Sequence, residues 1–195
     1  MPLPSAQPNR QRLHTRTVIC DGFLREDGLW DIEGHLTDIK GYSFKNKDRG
    51  GEIQPGEPLH GMSMRMTVDN DLTIQDIEAV TDYSPFAICP NITPQFKKLI
   101  GLQINKGFNK GVILRLGGVQ GCTHLVELLR PMATTAFQTV YSYRARLDEQ
   151  AGKPVTERPG VLDTCHALRV DGPIVAREWP QFYQPPAKAA GQEGA

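Results

Sequence analysis

The sequence predicts an α+β fold, with two antiparallel β-hairpins in one sheet and helices packed on one face of it. Three observations carry this prediction. Residues 13–39 and 62–80 alternate apolar and polar side chains about short turns, and residues 122–147 space their apolar side chains as a helix does. The helical segments follow the strands instead of alternating with them, which is the order of α+β domains.

The first hairpin takes 13–24 and 29–39 about the turn Arg25-Glu26-Asp27-Gly28. On its second strand the period of two sends Trp30, Ile32, Gly34 and Leu36 to one face and Asp31, Glu33, His35 and Thr37 to the other. The second hairpin carries Met62, Met64, Met66 and Val68 into the turn Asp69-Asn70-Asp71 and returns through Leu72, Ile74, Ile77 and Val80. Residues 40–61, rich in Gly, Lys and Pro, read as the loop between the hairpins. Beyond Cys89, Thr93 reads as a helix cap with Pro94 at the first helical position, Phe96, Leu99 and Ile100 as the apolar face and Gly101 as the stop. Residues 106–116 read as a second short helix carrying Phe108, Val112, Ile113 and Leu116. The major helix, 122–147, has a stripe of Leu125, Leu128, Leu129, Met132, Ala136, Val140 and Tyr143 or Arg144, with Pro131 as a kink point. Residues 163–179 read as two short strands about Asp171-Gly172-Pro173.

A chain of 195 residues is long enough for one well-buried domain, expected over 13–183, between tails at 1–12 and 184–195 whose Pro, Ala, Gly and Gln content predicts disorder. Twenty-two basic side chains balance twenty-two acidic ones, so no global positive field favours nucleic acid or an anionic membrane. Without a bilayer-length apolar run or a secretory leader, a cytoplasmic location is expected. In that compartment Cys20, Cys89, Cys122 and Cys165 read as free thiols or metal ligands instead of disulfides.

The densest chemistry is in Gly117-Gly118-Val119-Gln120-Gly121-Cys122-Thr123-His124, a glycine-rich loop running into the major helix. A thiol at a helix entrance meets free backbone N–H groups and a partial positive charge, which favour thiolate. Gly117, Gly118 and Gly121 can alternatively cradle a phosphate or carboxylate at the same helix end. His60, His124 and His166 lie in or near thiol-bearing segments, the last beside Cys165, and imidazole with thiolate is the ligand set of zinc and iron–sulfur sites. Small core cysteines with locally satisfied histidines account equally well for the spacing. Asp31, Glu33 and His35 form either an acid/base row or the wet face of a strand.

The segments Gly28-Leu29-Trp30-Asp31-Ile32-Glu33-Gly34-His35-Leu36-Thr37-Asp38, 117–125, 133–138 and Cys165-His166-Ala167-Leu168 resemble the bacterial family known as domain of unknown function 2889, whose name implies no activity. A more distant resemblance joins Glu57-Pro58-Leu59-His60-Gly61, the following hairpin, Cys89 and the helix opened by Cys122 to iron–sulfur scaffolds of the NifU and IscU type. That likeness implies a NifU/IscU-like core and ligands at His60, Cys89 and Cys122, with His124, Cys165 and His166 as candidates for a fourth. It also implies bound zinc or an iron–sulfur cluster, and a protein that donates or accepts the metal. The alternatives are an enzyme using Cys122 as nucleophile and a small-ligand module built on the glycine loop.

Overall fold

In the computed structural model, which describes residues 3–5 and 8–186, the chain divides into two compact units, 1–145 and 146–195. The tail expected at 184–195 lies largely outside the described residues. Among those residues, no helix is long and apolar enough to cross a membrane.

The first unit is built on β1 (His14–Leu24), β2 (Trp30–Lys40), β5 (Pro58–Val68) and β6 (Ile74–Tyr83), an antiparallel sheet in the order β1-β2-β5-β6. Both predicted hairpins are present. The first closes with Arg25 N–H donating to Leu29 O at 2.9 Å, and Gly28 supplies the positive φ of 83° that the turn needs. In the second, Asp69 Oδ1 accepts from the backbone of both Asp71 and Thr73.

One face of this sheet is covered. Trp30, Ile32, Leu36, Met62, Met64, Met66 and Val68 are buried there in register pairs: Trp30 opposite Val68, Ile32 opposite Met66, Leu36 opposite Met62. Three helical segments lie over them. A 3-10 helix at Cys89–Leu99 buries Phe96 and Leu99; α1 (Phe108–Leu116) buries Phe108, Val112 and Leu116. The long helix α2 (Thr123–Gln150) contributes Leu125, Leu128, Leu129, Met132, Ala136 and Val140, the stripe its periodicity predicts. Each such side chain removed from water stabilises the fold by roughly 1.5–3 kcal/mol before entropy is counted. The approach of α2 is close: a Cβ on Gly34 would stand 2.6 Å from Met132 Sδ, and one on Gly22 would stand 2.1 Å from Thr139 Oγ1.

Several local expectations are corrected. Residues 40–61 are not plain loop, because β3 (Phe44–Asn46) and β4 (Gly51–Ile53) pair about Gly50 and Gly51, both at positive φ, and bury Ile53. Thr93 caps nothing: its hydroxyl donates to Pro90 O inside the 3-10 helix, and Ile100 is exposed. Val80 is also exposed, because the register break between Val68↔Ile74 and Thr67↔Asp76 shifts it off the covered face. Ile113 and Tyr143 lie outside the buried faces of α1 and α2.

The second unit holds no strand among its described residues. Where two strands were expected, a 3-10 helix at His166–Leu168 precedes α3 (Pro173–Glu178), with a further 3-10 turn at Pro180–Phe182. Asp163 organises it, accepting from Val170 N and from Arg158 while its own N–H reaches Leu168 O. Pro173 starts α3 at the position where a missing N–H costs nothing, so a turn signal followed by Ile174 and Val175 is a helix start here.

Candidate functional site

The apolar rows of β2 and β5 end in a polar pair. Asp38 continues the covered face after Leu36, and its register partner is His60. Asp38 is fully buried and His60 nearly so. On the other side of Asp38, β1 places Arg16 opposite it and His14 one alternation further along the same face. From above, the first turn of α2 brings His124 and, one turn on, Glu127.

Asp38 is the hub of this cluster. Oδ1 accepts from His14 Nε2 at 2.9 Å and from Arg16 Nε at 2.8 Å; Oδ2 accepts from Arg16 Nη2 at 2.8 Å and from His60 Nδ1 at 3.0 Å. The Arg16 fork is therefore bidentate, and its remaining Nη1 donates to Glu127 Oε2. His124 Nε2 stands 3.9 Å from Asp38 Oδ2, and its ring lies against that of His60 with centroids 3.7 Å apart at 33°.

Burial alone would push the Asp38 carboxyl up, but the Arg16 guanidinium, with His14 and His60, overcomes it and holds it down at about 2. His60 is lowered from its ordinary value, first by burial and then by the neighbouring His124; His124 is lowered by burial and then by Arg16. At neutral pH the cluster thus holds an ionised carboxylate beside two neutral imidazoles. Because a carboxylate only accepts, the His60 proton sits on Nδ1 and Nε2 keeps a lone pair.

Asp38, His60 and His124 each offer one ligand atom, and these atoms lie within 4.8 Å of one another. The expected ligand His60 and the candidate His124 come together here. Cys89 and Cys122 are not members of the group: Cys89 opens the 3-10 helix, and Cys122, half-buried, precedes α2 and packs against the core. Cys165 and His166 belong to the second unit, where Cys165 is exposed.

Gly117, Gly118 and Gly121 each have a backbone reason to be glycine. A Cβ at Gly117 would meet Ile113 O at 2.4 Å and one at Gly121 would meet Leu116 O at 2.3 Å, while Gly118 has φ 58°. The Asp31, Glu33, His35 row lies on the open face with its partners satisfied: Asp31 accepts from Thr67 and Glu33 pairs with Arg65 across the strands, and His35 bonds Ser63 across them and Thr37 on its own strand. A shallow cavity of about 280 Å³ opens on that face, away from Asp38.

Sequence reasoning missed Asp38, Arg16 and His14. The signal existed: the alternation that buries Trp30, Ile32, Gly34 and Leu36 reaches Asp38 on the next step, and a carboxylate on the covered face of a strand demands a partner.

Neither the curated proteins nor the solved structures contain a match to this chain. The family model described as "Protein of unknown function (DUF2889)" matches residues 14–138, from the first residue of β1 into the middle of α2. That span holds every residue of the Asp38 cluster, and the chain belongs to the DUF2889 family.

Proposed function

We propose that this protein binds a divalent transition-metal ion between Asp38, His60 and His124, and that the ion ties the start of α2 to the end of the sheet. The single observation that supports the reading is the convergence of one carboxylate and two imidazole ligand atoms within 4.8 Å, on three different elements. Two imidazoles and a carboxylate suit zinc, ferrous iron or manganese, whereas a closed thiolate site would select softer ions. Both imidazoles are held neutral, the form that ligates. Arg16 already divides its fork between Asp38 and Glu127, so it keeps Glu127 while one Asp38 oxygen turns to the ion.

The test is calorimetric titration of chelator-treated protein with zinc and with cobalt(II), the latter read also by its visible spectrum. One ion per chain is expected, with a rise in melting temperature because the ion binds only the folded state. His60→Ala and His124→Ala abolish both responses; Cys89→Ala and Cys122→Ala keep them. Loss on the cysteine substitutions, with charge-transfer absorption in anaerobic protein, would instead support the iron–sulfur reading with Cys89 and Cys122 as ligands. No heat and no thermal shift with either ion sinks both.

A second reading has its own observation. The Asp38 carboxylate accepts from His60 Nδ1, which orients the ring and leaves Nε2 as a proton acceptor. It describes a metal-free acid–base site, and it takes precedence if the titration is silent.

A further inference from the structure

We propose that β1 is an interface strand, and that it pairs antiparallel with β1 of a second copy of this chain to join two four-stranded sheets into one. The sheet's two edges are treated differently. At β6, the ladder with β5 breaks register twice, the strand carries Asp76, Glu78 and Asp82, and its first residue is bonded from outside. There Gly101 N–H donates to Ile74 O at 2.8 Å and Ile74 N–H to Leu102 O at 3.0 Å. Bulges, charges and a covering segment are the ways an edge is closed to further pairing. β1 has neither a bulge nor a covering segment among the described residues, and of its two charges, Arg16 and Asp21, the first is turned inward to Asp38. It pairs with β2 over eleven residues without a register break, contains neither Lys nor Pro, and leaves Val18, Ile19, Phe23 and Leu24 exposed.

The direction of its free groups follows from two bonds that extend the β1–β2 ladder at either end. Arg25 N–H donates to Leu29 O, and Gly41 N–H donates to Leu13 O. Odd-numbered residues therefore bond toward β2, and by the alternation of an antiparallel pair His14, Arg16, Val18, Cys20, Gly22 and Leu24 turn their N–H and C=O outward. Six consecutive outward sites form a complete template for another strand.

The strand is complementary to its own copy, which is the occupant proposed. Only one antiparallel register overlaps all eleven residues, with a two-fold axis at Ile19 and His14 of each copy facing Leu24 of the other. It places outward-bonding residues opposite outward-bonding residues, as the ladder requires. Its centre is apolar, Val18 facing Cys20 and Ile19 facing Ile19; Arg16 faces Gly22, and no like charges stand opposite one another.

The test uses the full chain. Sedimentation equilibrium is expected to show reversible doubling of the 21.7 kDa chain mass with rising concentration. Ile19→Lys sets two ammonium groups across the axis on the exposed face and weakens the dimer roughly tenfold, whereas Ile19→Thr leaves it near the parent value. Circular dichroism of both variants matches the parent, since this side chain is exposed. Register is read by Ile19→Cys: a pair not hydrogen-bonded to each other has Cα atoms about 4.5 Å apart, within disulfide reach, so mild oxidation gives a dimer linked through position 19. A chain that stays monomeric at every concentration overturns the proposal, and so does a dimer that fails to link through position 19 or ignores Ile19→Lys.

Discussion

Asp38 and His60 face each other across the β2–β5 register and are bonded side chain to side chain, Oδ2 accepting from Nδ1 at 3.0 Å, at the end of a row whose other register pairs lack charge. The sheet therefore sets the distance between them, and no loop has to be ordered to bring them together. Asp38 is the point through which β1, β2, β5 and α2 communicate.

Asp38→Ala is expected to destabilise the protein by about 3 kcal/mol, because Arg16, His14 and His60 lose their common acceptor while remaining partly desolvated. Asp38→Asn should cost a comparable amount, since an amide keeps the volume but cannot accept from all four donors. Urea unfolding followed by circular dichroism measures both. A midpoint unchanged by either substitution would show that the cluster contributes nothing to stability.

Metal-free protein should lose stability in acid in two stages. The groups facing Asp38 are His14 and Arg16 from β1, His60 from β5 and His124 from α2, while Glu127 of α2 faces Arg16. His60 and His124 are lowered below their ordinary 6.5, so the fold prefers them neutral; that stabilisation is full above 6.5 and is lost as pH falls through their folded values. Asp38 is lowered from 3.8 to about 2, so the ionised carboxylate is preferred; its stabilisation is full above 3.8 and is lost as pH falls through about 2. Urea midpoints in the presence of chelator, taken every half unit from pH 8 to pH 2, should show both declines, and Asp38→Asn should remove the lower one.

Gly22→Ala should destabilise by roughly 1–3 kcal/mol, the range of overpacking, because β1 and α2 touch closely at this otherwise exposed position. The added Cβ would meet three atoms of Thr139 between 2.1 and 2.8 Å, and one of them is the Thr139 Cβ, which no change of rotamer moves. Thr139→Ala in the same chain should recover only part of the loss, because the Thr139 Cβ at 2.8 Å remains. Full recovery would place the strain in the hydroxyl and methyl alone.

Among the four thiols, Cys165 should react first with iodoacetamide and Cys20 last. Cys165 is exposed; Cys20 faces α2, and burial pushes its thiol up from the ordinary value. Cys122 combines a helix entrance with half-burial against the core, which places it between them. Peptide mapping of briefly labelled native protein gives the order.

The alternation in β2 and the spacing in α2 were sufficient to place Trp30, Ile32, Leu36, Leu125, Leu128 and Met132 in one core, because the faces of strands and helices are set by backbone periods of 2 and 3.6 that any local segment reveals. The same periodicity implied that Asp38 points inward. It did not reveal that His60 stands opposite it, since β2 and β5 are joined through residues 41–57, and their register is decided by the turns and packing of the β3–β4 excursion. Nor did the spacing of Cys122 and His124 show which would turn toward the sheet. His124 reaches Asp38 because α2 settles where Gly22 and Gly34 let it approach, a position set by the fit of Thr139 and Met132 against two strands. At 163–179 the local signals were ambiguous between strand and helix, and a helix start at Pro173 with Val175 buried resolves the second half as helix. Sequence determined which residues face inward; only the tertiary structure decided which of them meet, because register and helix placement are fixed by contacts between segments far apart in the chain.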